Sequence, residues 1–203
     1  MDGDKRIPDD SEQAATCYHA ALEWSRALGR RRSAASLGVD LAIIEDSGGD
    51  SEQACRGFEH ALEVYQSLGD RLEIQFVLVN WGVALERLGR LDEARKLYER
   101  ALVLARGTQN VRIHGVLLGN LAVLHARSQE FEQAEQLFTE ALALHRDVGN
   151  QREACIALTN LGYVNRDLNR PEASKQFFEE ALAVAESVKD AKQVALLRGL
   201  LGA

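Results

Sequence analysis

The sequence predicts an all-α fold, a solenoid of stacked helix-turn-helix repeats. Three series in one register carry that prediction. Alanine-leucine steps recur every 40 residues, at Ala61-Leu62, Ala101-Leu102, Ala141-Leu142 and Ala181-Leu182, and Ala21-Leu22 extends the series towards the N-terminus. In the same register, Phe58, Tyr98, Phe138 and Phe178 form an aromatic series. Leu41, Trp81, Leu121, Leu161 and Leu201 form a second series, each followed by a small residue: Ala42, Gly82, Ala122, Gly162 and Gly202. Self-similarity at such a period means stacked supersecondary units, each too small to bury its own apolar face.

The elements follow in chain order. Residues 1–10 are polar, lack the apolar core of a signal peptide and are expected to form a disordered leader. From 11 to 203 a single solenoid is expected. It starts with a half repeat over 11–28, a lone second-type helix with the packing stripe Ala14, Tyr18, Ala21, Leu22 and Trp24. Full repeats follow at 31–68, 70–108, 110–148 and 150–188, and a partial first-type helix closes the chain at 190–203.

Within the repeat 70–108, Asp70 is the expected N-cap, with Asn110, Asn150 and Asp190 as counterparts. Helix A then runs from Leu72 to Leu88, with Phe76, Val79, Gly82 and Val83 on one side. Gly89 ends it, as Gly49 does one repeat earlier, in the left-handed conformation that closes a helix. Helix B runs from Leu91 to about Arg106, with Ala94, Leu97, Tyr98, Ala101, Leu102 and Leu104 as its apolar stripe. Pro171 suits the first turn of its helix B, where a missing N–H costs nothing. Ala94, Ala101 and Gly82 let the two axes approach closely, with Tyr98 and Trp81 filling the space beside them.

Composition narrows the function. The chain has 203 residues, 46% of them hydrophobic, and only two prolines interrupt its helices. A net charge of −7 argues against a general nucleic-acid binder, and no apolar run is long enough to span a membrane. Three widely spaced cysteines, Cys17, Cys55 and Cys155, suit a reducing compartment, and the cytoplasm is the expected location. The five histidines keep no common register and no two cysteines stand at C-x-x-C spacing, so neither a metal site nor any other cofactor is expected. Gly48-Gly49 is not followed by Lys-Ser/Thr and reads as a helix stop. An enzyme is not expected.

Ala54-x-x-x-Phe58, Ala94-x-x-x-Tyr98, Ala134-x-x-x-Phe138 and the helix A step Asn160-Leu161-Gly162 resemble the tetratricopeptide repeat. There are departures. The family's Trp position holds Gly38, Leu78, Leu118 and Leu158, and its Tyr position holds Glu45, Leu85, His125 and Asn165. No proline ends helix B, where Gln66, Arg106, Arg146 and Glu186 fall, and both helices can run on by about a turn. The resulting long unit is similar to those of spindle-orientation adaptors that modulate G-protein signalling, kinesin light chains and bacterial regulators. The resemblance implies a right-handed α-solenoid that binds a peptide or protein partner along its concave wall of A helices.

On that wall the residue before the Leu/Trp position is Asp40, Asn80, Asn120, Asn160 and Leu200. A carboxamide donates and accepts together, so an Asn ladder can clamp the N–H and C=O of an extended peptide; the resemblance implies this role. The plainer alternative is that each Asn bonds a neighbouring backbone or faces solvent. One turn on, Ile43, Val83, Val123 and Tyr163 could form side-chain pockets. Two turns before the ladder stand Arg32, Leu72, Arg112, Arg152 and Lys192, a basic row suited to an acidic partner segment, with Arg112 and Arg152 the expected contacts. The other reading of that row is a solvated or Glu-paired helix end.

Three functions stay open: a scaffold for an extended partner segment, a regulatory segment of a larger signalling or transcription protein, and a self-assembling module. The last would be a homo-oligomer joined through the two terminal half-repeats. A chain cut from a longer array would leave the same two ends open. All three exclude catalysis.

Overall fold

The computed structural model describes residues 10–108 and 110–202. Apart from Asp10, which opens the first helix, the leader expected over 1–10 lies outside the described residues. Ten helices and no strand occur among those described. They are α1 (Asp10–Ala27), α2 (Arg31–Ser47), α3 (Ser51–Leu68), α4 (Arg71–Arg87), α5 (Leu91–Thr108), α6 (Val111–Arg127), α7 (Phe131–Asp147), α8 (Gln151–Asp167), α9 (Pro171–Ser187) and α10 (Ala191–Leu201). None is long and apolar enough to cross a membrane. The chain divides into two units, residues 1–104 and 105–203. In the first, α2 packs against α1, α3 and α4; in the second, α7, α8, α9 and α10 stack in succession from α6. Within each unit, linkers of two or three residues leave successive helices little choice but to lie antiparallel.

Side-chain caps mark where α3, α4, α6 and α10 begin. The side chains of Asp50, Asp70, Asn110 and Asp190 accept from the N–H three residues on, at 3.1, 3.4, 3.2 and 3.1 Å. Each satisfies a donor that the first helical turn leaves free. Asn150, expected to do the same, makes no such bond, and α8 starts without a side-chain cap. Helix ends close on left-handed residues. Gly29, Gly49, Gly69, Gly89 and Gly149 all have positive φ, and at equivalent points Gln129, Asn169 and Lys189 adopt it too.

The core repeats along each unit. Phe58 and Tyr98 in the first, and Phe138 and Phe178 in the second, are almost wholly buried beside alanines that admit close helix approach. Each such ring contributes roughly 1.5–3 kcal/mol by its burial. Polar groups tie the helices together at their ends. In the first unit, Ser51 Oγ donates to buried Asp46 at 2.6 Å, and Arg87 reaches the same carboxylate at 2.9 Å. In the second, Asn165 Nδ2 donates to Glu135 at 3.1 Å, and Arg170 holds that carboxylate at 3.0 Å.

Two expected packing residues face outwards. Trp24 is 72% exposed, because α1 packs mainly against α2 and this position of α1 turns away from it. Phe76 is 44% exposed, while Ile74, Gln75, Val77, Leu78, Ala84 and Leu85 form the buried side of α4. An A helix is covered on more than one flank, so its buried arc is wider than a single stripe suggests.

Candidate functional site

The strongest constellation lies in the second unit, where α6, α7 and α8 leave an open cavity of about 110 Å³. Asn120 and Val123 reach it from α6 and Asn160 from α8. Gly119 lines it as well, and a side chain there would meet nothing within 4 Å. Small-molecule sites occupy roughly 300–1,000 Å³, so this volume suits one side chain of a longer ligand. The floor comes from Phe138 and Ala141 of α7 and Ala157 of α8.

His145 of α7 and Glu153 of α8 complete the wall. The imidazole packs flat against the α6 backbone, since a Cβ on Gly115 would lie 2.7 Å from its Cε1. His145 is buried, and its Nδ1 has no hydrogen-bond partner. Burial holds its pKa below the ordinary histidine value, with the Glu153 carboxylate pulling the other way. The cavity therefore combines two carboxamides and one carboxylate over an apolar floor. Such a set can receive a main-chain amide and the side chain beside it.

The other expected site residues are distributed as follows. Arg112 and Arg152 are exposed on the first turns of α6 and α8, eight residues before Asn120 and Asn160 and so about 12 Å along each axis. Tyr163 is half-buried and stacks edge-on against Phe178, with ring centroids 5.3 Å apart, while the Arg166 guanidinium lies over its ring at 5.1 Å. In the first unit Asp40, Asn80 and Val83 are half-buried. Asn80 Nδ2 donates to the Phe76 carbonyl of its own helix at 2.8 Å, which commits one of its two amide N–H groups. Arg32, from the basic row, pairs with Asp70 at 2.7 Å.

His145, Glu153, Gly115 and Gly119 were not anticipated in this site. One signal was available: position 145 is in register with Tyr65, Ala105 and Ala185, all buried, so a histidine there places a polar ring in a core row. Cys55 and Cys155 are buried and free, and burial pushes both thiols up. Among the described residues no group of three or more His, Cys, Asp or Glu side chains is placed to hold a metal ion.

Residues 113–187 match a family model described as tetratricopeptide repeat, and residues 75–107 match a second model of that description. Residues 10–88 match the model of anaphase-promoting complex subunit 5. No curated protein matches the sequence. Among solved structures, BtubC (BKLC) from P. vanneervenii is 20% identical with a TM-score of 0.70, covering 96% of this chain and 91% of its own. Aspartyl phosphate phosphatase F from Bacillus subtilis is 12% identical with a TM-score of 0.78, over 83% of this chain and 44% of that one. The quorum sensor NprR from B. thuringiensis, in its apo form, is 16% identical with a TM-score of 0.71, over 88% and 51%. The chain thus spans about half the length of the last two, and at these identities the likeness is one of fold.

Proposed function

The chain belongs to the tetratricopeptide-repeat family, whose two matching models together take in more than half of it, and from that premise we propose that it is a non-catalytic scaffold for an extended segment of a protein partner. The observation that carries the proposal is the meeting of Asn120, Asn160 and Val123 at one small cavity in the second unit. Asn120 and Asn160 would clamp successive peptide groups of the partner, each giving an N–H and taking one. One partner side chain would enter the cavity beside Val123. The exposed Arg112 and Arg152 would meet acidic residues further along the segment.

Asn80 has a smaller part in this scheme, because one of its amide N–H groups is already held by Phe76, which turns the carboxamide back towards its own helix. Asp40, Val83 and Tyr163 would extend the contact along the A helices, Tyr163 as a fixed wall held by Phe178. The fold shared with a quorum sensor supports a ligand-binding role. A reducing, cytoplasmic setting fits the three free cysteines.

The test is capture of the partner from the source cell with the full chain as bait, wild type against Asn120→Ala/Asn160→Ala. Loss of a specific captured protein from the double variant supports the proposal. Equal capture by both, or contacts confined to the B helices, contradicts it.

A further inference from the structure

In the first unit one packing position is left vacant. The register that holds Leu78, Leu118 and Leu158, at 0%, 4% and 0% exposure, holds Gly38 on α2. A second register holds half-buried Leu97, Leu137 and Phe177 and, on α3, Gly57. The two glycines differ in kind. A Cβ on Gly57 would come within 3.0 Å of the Ala42 Cβ, so close helix packing accounts for it. A Cβ on Gly38 would meet nothing within 4 Å. A glycine inside a helix is destabilising relative to alanine, and here no packing contact requires it.

The space left is a cavity of about 250 Å³ between α1, α2 and α3. Its floor is apolar, with Leu22, Leu41 and Ala61 all buried. Its rim is basic: His19, Arg26, Arg56 and His60 are exposed around it, against one acid, Glu45. Arg26 is already paired with Glu23 at 3.0 Å, whereas Arg56 donates to the neutral Gln53 carboxamide and acts on the Glu45 carboxylate through its charge. Burial raises the Glu45 carboxyl above its ordinary range, with His19 and Arg56 pulling it back.

We propose that this cavity binds a small amphipathic organic anion, an aromatic or branched carboxylate. Its apolar body rests on Leu22 and Leu41, and its charge points to Arg56 and the two histidines. A cavity of about 150 Å³ holds a benzene ring, so the space here takes a ring together with its carboxylate. The site lies in the first unit and is independent of the peptide site proposed in the second.

The experiment titrates the full chain with benzoate and, separately, with benzylamine, following the ring resonances of His19 and His60 by NMR. Benzoate is expected to shift both saturably and to bind more tightly than benzylamine. Gly38→Leu should fill the space, abolish the benzoate shifts and raise the melting temperature. Arg56→Gln, at an exposed position, should weaken benzoate about tenfold, the worth of one charge-assisted hydrogen bond. The proposal is overturned by a folded protein whose histidines show no saturable response to benzoate. Equal binding of benzylamine, or benzoate binding unchanged in folded Gly38→Leu and Arg56→Gln, overturns it equally.

Discussion

A Cβ on Gly82 would lie 2.3 Å from Cε1 of Tyr98, inside the ring's van der Waals envelope. The same holds between Gly162 and Phe178, at 2.4 Å. Each glycine is the condition for its aromatic partner to lie flat on the opposing helix. Tyr98 is further fixed by its hydroxyl, which donates to Glu86 at 2.5 Å.

The sign of a glycine-to-alanine change therefore distinguishes the two kinds of glycine. Gly82→Ala and Gly162→Ala are expected to destabilise by about 1–3 kcal/mol through overpacking. Gly119→Ala, facing open space, should stabilise by about 0.5–1 kcal/mol. Urea denaturation of the three variants measures this, and Gly82→Ala/Tyr98→Leu should recover part of the loss.

Helix ends offer a second test. Gln129, Asn169 and Lys189 hold φ of 63°, 58° and 57°, where side chains with a Cβ are strained. Gln129→Gly and Lys189→Gly should each stabilise by about 1 kcal/mol. Asn169→Gly should gain less, because asparagine tolerates this conformation better. Equal destabilisation by all three in thermal melts would contradict the backbone assignment.

His145 predicts a pH dependence. Its folded pKa is lowered by burial, so the unfolded chain takes up the proton first. Its contribution is complete above the ordinary value of 6.5 and is lost as pH falls from there towards the folded pKa. In denaturation between neutral and mildly acid pH, His145→Gln should lose less stability on acidification than the wild type does. An unchanged slope would contradict the burial of the ring.

The fold was legible because the 40-residue register marks the same contacts four times over, from Phe58 to Phe178. Trp24 was misjudged because its register partners Val64, Leu104, Leu144 and Val184 are half-buried, whereas α1 packs mainly against α2. The candidate site was legible only in part. Spacing marks Asn120 and Asn160 but is blind to a side chain turning back on its own helix, as Asn80 does. Nor does a helical glycine disclose whether it faces a neighbour, as Gly57 does, or open space, as Gly38 does.

The most direct measurement is calorimetric affinity for a segment selected on the full chain from a random-peptide library, wild type against Asn120→Ala and Asn160→Ala. Each lost carboxamide leaves peptide groups unpaired and is expected to cost about 1–3 kcal/mol. Acidic residues in the segment should make binding weaken with salt, and less so in Arg112→Gln/Arg152→Gln. Both alanine variants binding as tightly as the wild type, with unaltered folding, would contradict the central claim that this carboxamide pair clamps the partner.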